Sequence, residues 1–218
     1  MNNEDIPKVF KILREEYRRF KTPYVTEVAA RRKDPFKVLV SCILSLRTKD
    51  ETTREASNRL FALASTPVDM ASLPLTKIEK AIYPVGFYRN KARTIKNISK
   101  ELIERHSSRV PDTIDELLTL KGVGRKTANL VVTFAYKRPG ICVDTHVHRI
   151  TNRWGYVCAP TPDKTELELR RVLPKRYWIP INDLLVAFGQ NVCRPVSPFC
   201  SRCGLEPYCG KVGVGKRR

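Results

Sequence analysis

Leu120-Lys121-Gly122-Val123-Gly124-Arg125-Lys126-Thr127-Ala128-Asn129 is the stretch from which the fold of this chain is read. Upstream, Thr113 and Glu116 form a capping box, and Ile114, Leu117 and Leu118 give a helix an apolar face. Downstream, Ala128, Val131, Val132 and Ala135 repeat at helical steps. Asp112–Tyr136 therefore reads as helix, tight turn, helix. Two glycines around one apolar residue let the backbone bend sharply and bring N–H groups close to a ligand. Val123 plugs the turn into a core, and the amides at the start of the second helix form a site for an anion. Gly122, Val123, Gly124 and Arg125 are thus the candidate contacts to a phosphate backbone.

The helical step recurs outward from this hairpin. Ile6, Val9, Phe10, Leu13, Tyr17 and Phe20 form one stripe, and Phe36, Leu39, Val40, Ile43 and Leu44 another. Ile95, Ile98 and Leu102 continue the pattern, as do Ile181, Leu184, Leu185 and Phe188. A second capping box is read at Thr76 and Glu79. Prolines fall mainly between the stripes, where helices start or stop, and no period-two segment of useful length occurs. The expected fold is all-α. The Gly- and Lys/Arg-rich end, Gly210–Arg218, reads as a frayed basic tail.

The 218 residues suffice for one large domain or two small ones, each with its own core. Lys and Arg number 41 against 22 Asp and Glu, a formal charge of +19. A surplus that large repels itself, and a polyanion relieves the repulsion by releasing its counterions. Nucleic acid is the partner this implies. No apolar run reaches the roughly 18 residues of a membrane span. The polar, partly acidic start, Met1-Asn2-Asn3-Glu4-Asp5, is no secretory signal. A cytoplasmic setting is expected.

Seven cysteines in such a setting argue against a disulfide framework. Cys42, Cys142 and Cys158 sit singly among apolar residues and read as buried thiols. The other four are spaced Cys193-x6-Cys200-x2-Cys203-x5-Cys209. Thiolates clustered so closely repel or oxidise without a metal, so they are candidate ligands. On spacing alone, zinc and an iron–sulfur cluster both fit, and no open ligand position implies a catalytic role.

Lys126 falls at the second position of the second hairpin helix, facing whatever the turn grips. The positive helix end and Arg125 disfavour its protonated form, which suits a nucleophile; a plain phosphate-contacting lysine is the other reading. Eighteen residues on, Val143-Asp144-Thr145-His146-Val147 follows Pro139-Gly140. Asp144 is placed to cap a helix, where its carboxylate stays ionised. His146 and His148 read as structural hydrogen-bonders.

The hairpin, the Val143–Val147 segment and the 6-2-5 cysteine spacing, in that order from about Phe36 to Cys209, resemble the endonuclease III family of DNA glycosylases. The resemblance implies a helix-hairpin-helix glycosylase fold. Residues 26–138 would form a six-helix domain holding the hairpin; residues 1–25 and 139–218 would form an iron–sulfur cluster domain, with a cleft between the two. It implies one four-iron, four-sulfur cluster per chain on Cys193, Cys200, Cys203 and Cys209. It also implies that Lys126 attacks deoxyribose C1′ with Asp144 assisting, that oxidised or ring-saturated pyrimidines are removed, and that β-elimination nicks the strand. The substrate would be double-stranded DNA with a damaged base or abasic site, met by a monomer on a prokaryotic nucleoid.

The chain departs from the family in places. Leu46 and Arg47 occupy a stretch where relatives often carry Gln, so Arg47 either fills the gap left by a flipped base or binds a phosphate. Gly86–Ala92 matches the wedge loop, with Phe87 where an aliphatic residue is usual. Only Arg194 is basic between Cys193 and Cys200. Two rival readings are a monofunctional glycosylase for thymine or uracil opposite guanine, and a non-enzymatic DNA-binding module. The adenine-removing branch carries a catalytic Glu where Cys42 stands and lacks the reactive lysine.

Overall fold

The computed structural model describes residues 1–20, 22–32 and 34–218, and the side chains of all of these except 29–32. Among them are twelve α-helices and no strand. They are α1 (Ile6–Tyr17), α2 (Tyr24–Arg32), α3 (Pro35–Ser45), α4 (Asp50–Leu63), α5 (Pro67–Ser72) and α6 (Leu75–Ile82). Then come α7 (Tyr88–His106), α8 (Ile114–Thr119), α9 (Arg125–Leu130), α10 (Thr145–Arg153), α11 (Pro162–Val172) and α12 (Trp178–Asn191). The all-α reading holds.

Side-chain caps followed by proline start several helices. Asp34 accepts from Phe36 N and Lys37 N ahead of Pro35. Thr66 accepts from Asp69 N ahead of Pro67, and Thr161 from Lys164 N ahead of Pro162. The side-chain oxygen supplies an acceptor for an orphan amide, and proline at the first position has no N–H to lose. Half of the Thr113 box forms as read: its Oγ1 accepts from Glu116 N at 3.3 Å, while the Thr113 hydroxyl rather than its backbone N–H donates back to Glu116 Oε2, at 2.6 Å. Thr76 caps nothing. Pro74 ends the preceding turn and stands at the N-cap, so α6 begins at Leu75 and Thr76 falls inside its first turn.

The chain divides into two compact units, Tyr24–Arg138 and Met1–Pro23 with Pro139–Arg218. In the first, α3 is the central rod. Its Val38, Leu39, Val40, Cys42, Ile43 and Leu44 are buried, and α2, α4, α7 and α9 pack on it. Where six helices were expected over 26–138, eight segments lie, α2 to α9, with Leu73-Pro74 separating the short α5 and α6.

In the other unit α12 packs on α1 and α10. Its core gathers Ile6, Val9, Phe10 and Leu13 with Trp154, Ile181, Leu185 and Phe188, and Phe10 stacks on Tyr177 at 4.2 Å. The stripes read in the sequence at both ends of the chain thus meet in one core.

Two expectations are corrected here. Cys158 is exposed, unlike buried Cys42 and Cys142, because its neighbours Val157 and Ala159 take the inward positions. The tail is tied down rather than frayed. Gly210 N and Val212 N donate to Trp154 O and Arg153 O at 3.1 and 2.9 Å, and Arg218 N donates to Pro198 O at 2.9 Å. These bonds satisfy carbonyls left over at the end of α10 and in the cysteine loop. No helix among the described residues is long and apolar enough to cross a membrane.

Candidate nucleic-acid interface and four-cysteine centre

The hairpin turn closes with Val123 N donating to Leu120 O at 3.0 Å, and Val123 is buried as the plug. The two glycines do different work. Gly122 holds φ +98°, a region that disfavours any side chain, and a Cβ there would lie 2.6 Å from Thr94 Cγ2. Gly124 is extended at φ −97° and ψ 172°, so it needs no special freedom. Nothing lies within 4 Å of where its Cβ would be. The bend belongs to Gly122, and Gly124 leaves the start of α9 open to approach.

With Gly124 as N-cap, Arg125 is the first residue of α9 and Lys126 the second. Lys126 is half-buried, followed by buried Thr127, Ala128 and Asn129. Its charge bears on Cys42 of α3, whose thiol burial pushes up to about 12 while Lys126 acts in the opposite direction. The second hairpin helix was expected to run unbroken to Ala135. Instead α9 ends at Leu130 and a π-helical turn spans Val131–Ala135. Thr133 Oγ1 bonds there to Asn129 O at 2.7 Å, occupying a carbonyl that the wide turn loosens.

Asp144, in the other unit, is the N-cap of α10 and is 8% exposed. One oxygen, Oδ1, accepts from both His146 N and Val147 N at 2.9 Å. Its Oδ2 accepts no hydrogen bond among the described residues. His148 Nδ1 pairs with Thr165 Oγ1 at 2.7 Å, and His146 Nδ1 with Arg149 Nη2 at 3.2 Å.

Arg47 and Phe87, from segments forty residues apart, stand together. Both are exposed, and the guanidinium lies 5.6 Å from the ring centroid. Both hold left-handed backbones, φ 51° and 58°, a conformation that costs a side-chain-bearing residue about 1–2 kcal/mol. Sequence reasoning passed over Lys91, which is buried beneath them. The signal was present: Lys91 stands at the head of the apolar stripe Lys91, Ile95, Ile98, Leu102 of α7, where a charge is out of place.

Cys193, Cys200, Cys203 and Cys209 line one cavity, walled by Trp154, Phe188, Val192, Phe199 and Leu205. Burial, reinforced by the three neighbouring thiols, pushes Cys203 up to about 11. Burial likewise raises Cys209. Arg153 Nη1 donates to Cys193 Sγ at 3.5 Å and Lys211 N to Cys209 Sγ at 3.4 Å. No three His, Cys, Asp or Glu among the described residues are arranged to hold a single metal ion. Outside the cavity Arg202, Arg218 and Arg194 gather on the Phe199 ring at 4.0, 4.3 and 5.1 Å. Arg202 and Arg218, from beyond the Cys193–Cys200 stretch, thus join Arg194 at this ring.

Residues 40–175 match the family described as HhH-GPD superfamily base excision DNA repair protein. Endonuclease III of Thermotoga maritima is 47% identical over 176 residues, which are 81% of this chain and 83% of that protein. Endonuclease III of Bacillus subtilis is 39% identical over 192 residues, 84% of this chain and 87% of that one. A solved trapped endonuclease III–DNA covalent intermediate, an estranged-adenine complex, aligns with a TM-score of 0.86 at 32% identity over 97% of both chains. The chain therefore belongs to the HhH-GPD superfamily of base excision DNA repair proteins and, within it, to the endonuclease III family.

Proposed function

We propose that this DNA glycosylase and abasic-site lyase grips damaged duplex DNA through the hairpin, and that Lys126 is its nucleophile. The lesions removed are oxidised or ring-saturated pyrimidines. The carrying observation is the position of Lys126 at the second residue of α9, directly beyond the open turn at Gly124. A phosphate held by the first amides of α9 brings the attached sugar within reach of that amine. The covalent DNA complex of the endonuclease III structure supports the same chemistry.

The Lys126 amine donates its lone pair to C1′ as the C1′–N bond to the base breaks. The base leaves with the electron pair of the broken bond and takes up a proton from solvent. A proton then passes from Nζ to O4′ as the C1′–O4′ bond breaks, giving an imine on Nζ that acidifies the C2′ hydrogen. Loss of that proton expels the 3′ phosphate, and water then hydrolyses the imine to return the amine. Asp144 stabilises the positive charge that builds on the sugar, using the oxygen its cap leaves open. Cys42 supports this reading over a water-activating one. A thiol pushed up to about 12 stays protonated and is no general base where the rival branch needs a carboxylate.

The four cysteines suit a four-iron, four-sulfur cluster. They line one apolar cavity, and their thiolate donor set is the one iron–sulfur clusters take. When bound, the cluster supplies stability to a loop with little core of its own. The protein acts as a monomer on the nucleoid of a prokaryotic cytoplasm.

Borohydride reduction tests the nucleophile. Wild type should form a stable adduct with duplex carrying a saturated pyrimidine, and Lys126→Gln should abolish it while binding persists. Undiminished trapping by Lys126→Gln would assign the attack to another amine.

A further inference from the structure

The first turn of α7 buries a charge that the reaction does not use. Lys91 is 7% exposed, and its ammonium donates to Leu44 O at 2.8 Å, to Thr48 Oγ1 at 3.1 Å, and to Leu46 O. An ammonium has three N–H donors, so all are used. Every acceptor lies at the C-terminal end of α3 or in the turn after it, where the unpaired carbonyls of a helix concentrate negative potential. Burial alone shifts the amine, down to about 8, with no carboxylate contributing. A buried cation with no counter-ion among the described residues is an expensive way to end a helix. A glycine cap would do that much.

The two turns held by the cation explain its presence. The turn it grips contains Arg47, and Lys91 itself stands four residues after Phe87, with Lys91 N donating to Phe87 O at 3.0 Å. Thr48 Oγ1 also accepts from Gly86 N at 3.2 Å, so one hydroxyl joins both turns to the ammonium. Gly86 permits the contact, since a Cβ there would lie 2.7 Å from Arg47 O. Two residues in left-handed strain, Arg47 and Phe87, are thereby fixed side by side. Strain of this kind persists only where surrounding bonds over-determine it.

We propose that Lys91 is a positioning residue that clamps Arg47 and Phe87 into one rigid two-pronged wedge, which enters duplex DNA as a unit to hold the lesion extruded. This rests on the reading of the chain as a glycosylase for damaged duplex. A preset wedge lowers the cost of extrusion because neither side chain nor its turn has to be ordered on binding. The duplex supplies the bases that the wedge covers. A lesion in single-stranded DNA is already unstacked and gains nothing from it.

The test uses single-turnover base removal from 5,6-dihydrouracil, placed in duplex and in single-stranded DNA of the same sequence. Lys91→Met keeps the stem and removes the donors. Gly86→Ala retains Lys91 and forces a methyl against Arg47 O, so it separates the clamp from loss of a buried charge. Both should lose on the order of tenfold or more on the duplex lesion, since a displacement of about 1 Å can cost a hundredfold. On single-stranded substrate both should stay within about threefold of wild type, and undamaged duplex should bind as before. Equal losses on the two substrates, or a wild-type duplex rate in Gly86→Ala, would overturn the clamp. If Lys91→Met does not fold, Gly86→Ala decides alone. A wild type inactive on both substrates would instead sink the glycosylase reading itself.

Discussion

Asp144 caps a helix with one oxygen and leaves the other open, so its two duties separate by substitution. Asn keeps an oxygen for His146 N and Val147 N but loses the charge; Ala loses both. Asp144→Asn should hold its denaturant midpoint while base release slows roughly a hundredfold, the scale of one electrostatic contact in a transition state. Cleavage of a preformed abasic site should slow less. Asp144→Ala should cost about 1 kcal/mol more in unfolding free energy. An Asn variant with a normal rate of base release would leave Asp144 a cap and nothing else.

Lys91 gives a second test, by pH. The folded amine titrates at about 8 and the unfolded one near its ordinary 10.5, so between those values the unfolded chain binds more protons. Stability therefore rises with pH across that window and is flat below it. Referenced to Lys91→Met, the wild-type urea midpoint should climb between pH 8 and 10.5. A constant difference would show an ammonium still in water. The positions of Lys126 behind a glycine turn and of Asp144 at a helix start were legible in the sequence because both settings are local. The place of Lys91 was not, since its acceptors lie more than forty residues away.

At the scale of the element, the hairpin divides its glycines between bend and access. Gly122→Ala must hold φ +98° against Thr94 and should destabilise by about 1–3 kcal/mol in chemical denaturation. Gly124→Ala meets open space at an ordinary backbone and should stay within about 0.5 kcal/mol. Gly124→Leu fills the approach and should weaken damaged and undamaged duplex alike in fluorescence anisotropy, because the turn meets backbone and not bases. Loss confined to damaged DNA would put Gly124 in the base pocket. The spacing Gly-x-Gly announced the turn, but not which glycine bends, as that depends on Thr94 from α7. Thr76 shows the opposite error: the letters of a capping box recur inside helices, and Pro74 decided the start.

At the scale of the molecule, the surplus charge and the cysteines were both countable from the sequence. Purified protein should be brown with about four irons per chain. Cys203→Ser should lose iron and solubility together, since the loop loses one of the four thiolates that would hold the cluster. Colourless protein with stoichiometric zinc would remove the cluster. Counting could not show how the tail returns over the cysteine loop, because long-range backbone bonds such as Arg218 N to Pro198 O leave no mark in composition.

The π-helical turn at Val131–Ala135 carries a consequence for insertions and deletions. Such a turn is an α-helix holding one supernumerary residue, swallowed locally so that the chain beyond it keeps its place. Beyond this one lie two anchors: Tyr136, whose hydroxyl donates to Val110 O, and Arg138, paired with Asp112 Oδ1 at 2.9 Å. Anywhere else in α9, losing a codon would swing those anchors about 100° around the axis. Within the wide turn, deleting Thr133 should restore ordinary winding and keep both anchors on their partners, so its denaturant midpoint should fall less than that of a one-residue deletion in α9. An equal fall in both deletions would show that the wide turn does not absorb the missing residue.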